Sequence, residues 1–412
     1  MSTSFTYHCS DCGKLFPAGG IVYLCPECSA KQQPQQPPKG VMNISYPFEA
    51  LAGITFEQLE KTQFIDLLPI EHSANLPFLK VGKTPLYNIS RPDEEEIDHG
   101  LYLKDDSQNP TFSFKDRASA LVSAFAKEND INTIVAASTG NAGSSLAGMC
   151  AAQGQKAIIF VPAKAPKAKL TQILMYGAVL VPVNGNYDMA FDLSIEASHR
   201  FGWYNRNTSY NPLTIEGKKT VSFELFSQLN KHLPDRIFVP VGDGVIISGV
   251  YKGFEDLLNL RFINRIPTIV AVQAEGSSNL IDNLGNDRFT MKSAKTIADS
   301  ISVDIPRNFR MAAQYLSNYN GEVMRVSDQE ILSASAQLSR TTGIFTEPAA
   351  AAAFAGYLKA KSDRQLTQGS ENVVLLTGSG LKDLNAVQSL LSIPEAVSPD
   401  IESIEKFLNG KV

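Results

Sequence analysis

Four cysteines near the start of the chain are spaced for metal chemistry, as Cys9-x-x-Cys12 followed by Cys25-x-x-Cys28. Each pair can place two thiolates on one tight knuckle, and together they complete a tetrahedral four-sulfur zinc site. Such a site has no open position, so the zinc it predicts is structural. Residues 14–24 between the pairs read as the short hairpin of a zinc ribbon, and His8 reads as an exposed side chain beside a site that is already complete. The fifth cysteine, Cys150, lies alone among apolar neighbours and reads as a small buried hydrophobe. A second centre is suggested by Lys115. The run Asn109-Pro110-Thr111-Phe112-Ser113-Phe114-Lys115-Asp116-Arg117 opens a predicted amphipathic helix with the lysine in its first turn, where the helix dipole disfavours a protonated amine. An amine held neutral is a nucleophile; by residue type alone, Lys115 would be a solvated helix-start lysine.

The elements that must position these groups follow from the apolar pattern. Five Val- and Ile-rich runs, at residues 133–137, 157–161, 236–240, 268–272 and 372–376, alternate with longer helical stretches, which is the pattern of an α/β protein with buried, mostly parallel strands. Three of these runs enter glycine- or hydroxyl-rich turns: Ser138-Thr139-Gly140-Asn141-Ala142-Gly143, Val241-Gly242-Asp243-Gly244 and Thr377-Gly378-Ser379-Gly380. In open α/β sheets ligands gather at the carboxyl ends of strands, where turn amides and helix N-termini face anionic groups. Three such turns predict one shared crevice. Each turn alone would pass for an ordinary strand-to-helix connection.

At 412 residues, 43% hydrophobic and 19% charged, the chain is long enough for two globular domains and reads as soluble. A net charge of −5 argues against a nucleic-acid-coating protein. Residues 1–8 lack the features of a signal peptide and no apolar stretch has membrane-spanning length, so a cytoplasmic location is expected. The Pro- and Gln-rich residues 30–41 read as a linker after a ribbon at residues 1–29.

Beyond the linker the motifs resemble those of the threonine synthase family. Ser113-Phe114-Lys115-Asp116-Arg117 is similar to the family's lysine motif, usually Pro-Thr-Gly-Ser-Phe-Lys-Asp-Arg. Ser138-Thr139-Gly140-Asn141 is similar to its substrate loop, and Thr377-Gly378-x-Gly380-Leu381-Lys382-Asp383 to its C-terminal cofactor motif. Asn211-Pro212-x-x-Ile215-Glu216-Gly217 and Glu347-Pro348-Ala349 extend the match. The resemblance implies fold type II of the pyridoxal phosphate (PLP) enzymes: two α/β domains, with residues 42–117 and 226–412 as the large PLP-binding domain and 118–225 as the smaller one. Zinc ribbons also occur in this family, and a homodimer is implied. Lys115 would carry the cofactor as a Schiff base and then remove the substrate's Cα proton. Phe114 would pack on the ring, and Asn141 would bond its phenolic oxygen. The amides of Gly242, Asp243, Gly244, Val245 and Ile246 would cradle the phosphate, and Thr377 would meet the pyridine nitrogen. Ser138, Thr139, Gly140, Asn141 and Ala142 would hold the substrate carboxylate, with Phe112, Ser209 and Thr214 near the rest of the substrate. A neutral hydroxyl at the pyridine nitrogen favours elimination or replacement of a side-chain substituent.

The departures fall around the substrate's tail. Phe112 replaces a motif glycine and is expected to narrow the pocket. Thr214 stands where many threonine synthases place an arginine on the phosphate of O-phosphohomoserine, although Lys218 or Lys219 could restore that charge. Ser379 replaces a usual His, and Asp243 brings a carboxylate to the phosphate turn that must point outward. A shorter substrate, O-phosphoserine, fits a narrower pocket, and one methylene is worth about 1–3 kcal/mol of discrimination. The expected reaction is therefore that of the related cysteate synthases, O-phosphoserine plus sulfite giving L-cysteate, with threonine synthesis as the alternative. A different class of reading is a catalytically idle binding module built around the ribbon. Only Lys14 and Lys31 are basic there, opposed by Asp11 and Glu27, so no nucleic-acid partner is expected.

Overall fold

The computed structural model describes residues 5–92 and 96–409. Its centre is a six-stranded sheet in the order Glu322–Val326, Thr268–Ala274, Arg236–Pro240, Glu371–Leu376, Gly100–Asp105, Leu86–Asn88. All neighbours are parallel except the edge strand Leu86–Asn88. A four-stranded parallel sheet, Val179–Val183, Lys156–Pro162, Thr133–Ala137 and Tyr204–Asn205, forms the second body. Each predicted Val- and Ile-rich run lies within one of these strands. Buried on both faces by helices, parallel strands read as continuous apolar runs.

The helix Lys115–Glu128 corrects an expectation. It is buried from Asp116 through Ala126 rather than amphipathic. It lies between the two bodies, with Leu121, Val122 and Phe125 in the core of the smaller sheet and Phe114 in the core of the larger. The helix Leu213–Gln228 also differs from the expected domain limits. Its Ile215, Val221, Phe223 and Phe226 belong to the larger sheet's core, so the chain rejoins that body well before residue 226.

The ribbon likewise crosses its expected limits. Thr6–Cys9 pairs antiparallel with Leu15–Pro17 on one side and with Met42–Ser45, beyond the Pro- and Gln-rich stretch, on the other. Tyr7, Cys9, Met42 and Ile44 share one apolar cluster with Ile134, Ile159 and Tyr204 of the smaller body. His8 is half-buried, with its Nδ1 2.8 Å from the Ser45 hydroxyl, because that third strand covers it. No helix among the described residues is long and apolar enough to cross a membrane. Deleting residues 1–29 strips the partner from an apolar strand, so the melting temperature should drop by more than about 5 °C. Melting unchanged by the deletion would show instead that the ribbon is a separable bead.

Candidate active site

Lys115 is the first residue of its helix, and the turn before it is locked to the end of strand Glu371–Leu376. The Phe114 N–H donates to the Thr377 carbonyl at 2.9 Å, and the Ser379 N–H donates to the Phe112 carbonyl at 3.1 Å. Just inside the helix, the buried Asp116 carboxylate accepts from the Thr111 N–H at 2.7 Å and its hydroxyl at 2.5 Å. Arg117 donates to Asp106 at 2.6 Å and to Glu224 at 2.7 Å. A helix start held from both sides presents the lysine to a narrow cleft with a cavity volume of about 50 Å³. Thr377, the turn from Gly242 to Ile246, Thr208, Lys218 and Ser300 line that cleft.

The Gly242 turn is built for an anion. Gly244 sits at φ 83°, and a Cβ on Gly242 would stand 2.9 Å from the Ile301 Cα, so neither position accommodates a side chain. The helix Val245–Asn259 follows at once with no side-chain cap, leaving its first amides and positive dipole end free for a phosphate. The Asp243 carboxylate accepts the Arg307 N–H at 3.1 Å and is thereby turned from the turn's own amides, as expected.

The Ser138 turn joins the cleft through Asn141. Its Nδ2 donates to the two Glu347 carboxylate oxygens at 2.8 and 3.0 Å and to the Ser300 hydroxyl at 3.2 Å. The Ser138 hydroxyl accepts the Gly140 N–H at 3.2 Å, and the helix Asn141–Gln153 begins without a side-chain cap. Thr139 and Ala142 are partly open beside it, so the turn offers amides to a carboxylate. Burial lowers the Lys115 pKa, against the opposing charge of Glu347. Burial raises that of Glu347, with the Lys115 charge acting the other way.

The two aromatic residues of the lysine motif lie elsewhere. Phe114 is fully buried in the larger core with the Arg117 guanidinium 5.5 Å from its ring, and it does not line the cleft. Phe112 is 46% exposed at φ 69° and does not narrow the cleft, because this left-handed backbone directs the residue to the surface. Thr214 is buried with its hydroxyl donated to the Asn211 carbonyl at 2.8 Å. Ser209 is buried with an unpartnered hydroxyl.

Three residues with no expected role are part of the arrangement. Glu347 was visible only as a motif letter. Lys382 donates to the Ser144 hydroxyl at 2.8 Å and to Gln172, tying the C-terminal turn to the smaller body. Arg206 is fully buried after a strand too short to give any periodic signal.

In the ribbon the ligand atoms of Cys9, Cys12, Cys25 and Cys28 lie within 4.8 Å of one another. Four sulfurs about 2.3 Å from one ion would have such spacings, so the donor set fits zinc. Cys150 is buried as expected, and its thiol is pushed up to about 12 by burial.

Two parallel-sheet bodies with a lysine in the cleft, beside the Gly242 turn and tied through Ser300 to the Ser138 turn, have the arrangement of an enzyme of the PLP type. The chain belongs to the pyridoxal-phosphate dependent enzyme family, whose pattern it matches over residues 78–378. A threonine synthase of Methanocaldococcus jannaschii is 32% identical over 97% of this chain and 98% of its own. A threonine synthase of Halalkalibacterium halodurans is 34% identical, covering 82% of this chain and 94% of its own. The fold is shared with threonine deaminase isoform 2 of Solanum lycopersicum, at TM-score 0.65 and 20% identity, covering 87% of this chain and 89% of that one. Maize serine racemase matches at TM-score 0.65 and 23% identity over 75% of this chain and 92% of its own. The idle binding module is left without support.

The folded protein holds the Glu347 proton more tightly than the unfolded chain does, because the folded pKa is raised. Wild-type stability therefore falls as pH rises through that raised value. Glu347→Gln keeps an acceptor for Asn141 and lacks the penalty. Without cofactor, its melting temperature relative to wild type should climb as pH rises above the ordinary carboxylate range; a pH-independent difference would refute this assignment.

Proposed function

We propose that the protein displaces phosphate from an O-phospho-amino acid, with O-phosphoserine and sulfite as substrates and L-cysteate and phosphate as products. The observation that carries the reading is the cleft itself, which gathers Lys115, the Gly242 turn, Thr377 and a second amine, that of Lys218. Pyridoxal phosphate, when bound, withdraws electrons from the substrate's Cα. Lys115 would hold it, and its amine, which burial makes easier to deprotonate, would take the Cα proton. The amides of Gly242, Asp243, Gly244, Val245 and Ile246 would hold the cofactor phosphate, Thr377 would serve the ring nitrogen, and Asn141, braced by Glu347, would serve the ring oxygen. Ser138 to Ala142 take the substrate carboxylate. Phosphate leaves Cβ with the C–O bonding pair, sulfite adds its sulfur lone pair to Cβ, and Cα regains a proton. No external oxidant or reductant enters.

The choice of O-phosphoserine is supported by Thr214, whose hydroxyl is spent on Asn211, so no arginine awaits a longer phosphate arm there. A second reading, threonine from O-phosphohomoserine and water, is favoured by one observation: Phe112 stands outside the cleft and gives no steric reason for a shorter substrate. The same proposal takes the ribbon to hold one structural zinc and the protein to be a cytoplasmic homodimer.

Lys115→Ala should abolish the visible absorbance of bound cofactor and lower activity by more than about a thousandfold. Purified wild type should form cysteate from O-phosphoserine and sulfite. Threonine from O-phosphohomoserine with no cysteate would replace the first reading by the second, and a colourless, inactive wild type after cofactor addition would end both.

A further inference from the structure

Among the described residues, the side-chain cations buried from solvent are paired with carboxylates, with two exceptions. Lys104 meets Glu224 at 2.7 Å, Arg117 meets Asp106 and Glu224, Lys219 meets Glu216 and Asp256, and Lys252 meets Asp256. Arg206 and Lys218 are equally buried, yet among the described residues no carboxylate bridges either. Arg206 donates from Nε to the Ser119 hydroxyl at 3.1 Å and from Nη1 to the Thr208 hydroxyl at 3.3 Å, while its Nη2 has no partner. Lys218 donates to the Thr214 carbonyl at 3.0 Å, which uses one of its three N–H groups. The buried Ser209 hydroxyl between them in sequence is also unpartnered, at a φ of 63° that a serine rarely adopts. Both Lys218 and Thr208 line the cleft of Lys115.

An unpaired cation out of water is strongly unfavourable, and two whose charges act on each other are worse, so their retention calls for an anion that completes them. The Arg206 charge depresses the Lys218 amine beyond what burial does. The cofactor phosphate already has the free amides and dipole of the helix Val245–Asn259. We propose that Arg206 and Lys218, with the hydroxyls of Thr208 and Ser209, form an oxyanion subsite that holds the substrate's phosphate as it leaves and then the sulfite that replaces it. The subsite rests on the phosphate-displacement reading and deepens it. Water needs no cation to attack, whereas an anionic nucleophile must be held against the charge of what has just departed. Phosphate and sulfite both present three oxygens at one end, so a single set of donors serves both in turn.

Inorganic phosphate and sulfite provide the probes, titrated separately into cofactor-loaded enzyme by calorimetry. Wild type should bind both, each competing with the other. Lys218→Met and Arg206→Met should each weaken both by at least tenfold, about one charge-assisted hydrogen bond, with cofactor affinity unchanged. Lys218→Met, which removes an unpaired buried charge, should melt at or above the wild-type temperature, and it serves as the decisive variant should Arg206→Met fail to fold. Equal binding by Lys218→Met and wild type would overturn the subsite. So would a tenfold loss of cofactor affinity with oxyanion binding untouched, which would give the pair to the cofactor phosphate. A wild type that takes up no cofactor defeats the functional reading, and oxyanion binding to that protein, with and without Lys218, still judges the subsite.

Discussion

Two backbone hydrogen bonds, from Phe114 to Thr377 and from Ser379 to Phe112, join the lysine turn to the end of a strand laid down near the close of the chain. The start of the buried helix, and hence the position of the Lys115 amine, depends on that join. So does Phe112. Its φ of 69° lies where L-residues are disfavoured by about 1–2 kcal/mol, and a glycine is usual at this place in the motif. The conformation persists because its carbonyl is fixed by Ser379 and its N–H by Asn109. Strain is thus carried next to the reactive lysine, and the aromatic side chain is turned outward rather than into the cleft.

The helix Leu213–Gln228 shows how one element serves structure and site together. Successive residues on a helix are separated by about 100°, so neighbouring lysines face different surroundings. Lys219 lies 4.2 Å from the Tyr46 ring centroid and pairs with Glu216 and Asp256, deep in the joint between ribbon and large body. Lys218 faces the cleft with no such partner. Nearly two turns further on, Glu224 takes both Lys104 and Arg117, so the helix that supplies Lys218 also anchors the helix that supplies Lys115.

What the sequence made legible follows burial. The five Val- and Ile-rich strands were readable because both their faces are covered. Strands at the edges were not. Val179–Val183 is half-exposed, and Glu322–Val326 carries Glu322 and Arg325. Gly100–Asp105 is internal, but its Lys104 and Asp105 read as loop residues; only the tertiary pairing of Lys104 with Glu224 makes that strand tolerable in a core. The turns at the strand ends were legible through glycine chemistry and motif order. Arg206 was not, since the strand Tyr204–Asn205 before it has two residues and no period to read. Glu347 was hidden for another reason: its role lies in the hydrogen bonds to Asn141, a pairing between distant parts of the chain.

The loss of an arginine at position 214 looks different once Lys218 is placed. The two residues lie four apart, one above the other on the same helix face, about 6 Å along the axis. Long side chains on a helix lean toward its N-terminus, and Lys218 does so far enough for its amine to rest 3.0 Å from the Thr214 carbonyl. An amine that a bound anion would charge is therefore kept beside residue 214, where the family's arginine is missing. What changes is its form. A guanidinium fork fixes one planar, bidentate approach, whereas an ammonium is a compact charge with rotatable donors and tolerates an oxyanion in more than one orientation. Phe112 leaves the cleft no narrower, so the length of the substrate is not set by a wall there. On the proposed reaction, selection would fall instead to the placing of charge, and a rotatable amine in the cleft of Lys115 would suit two different oxyanions in turn.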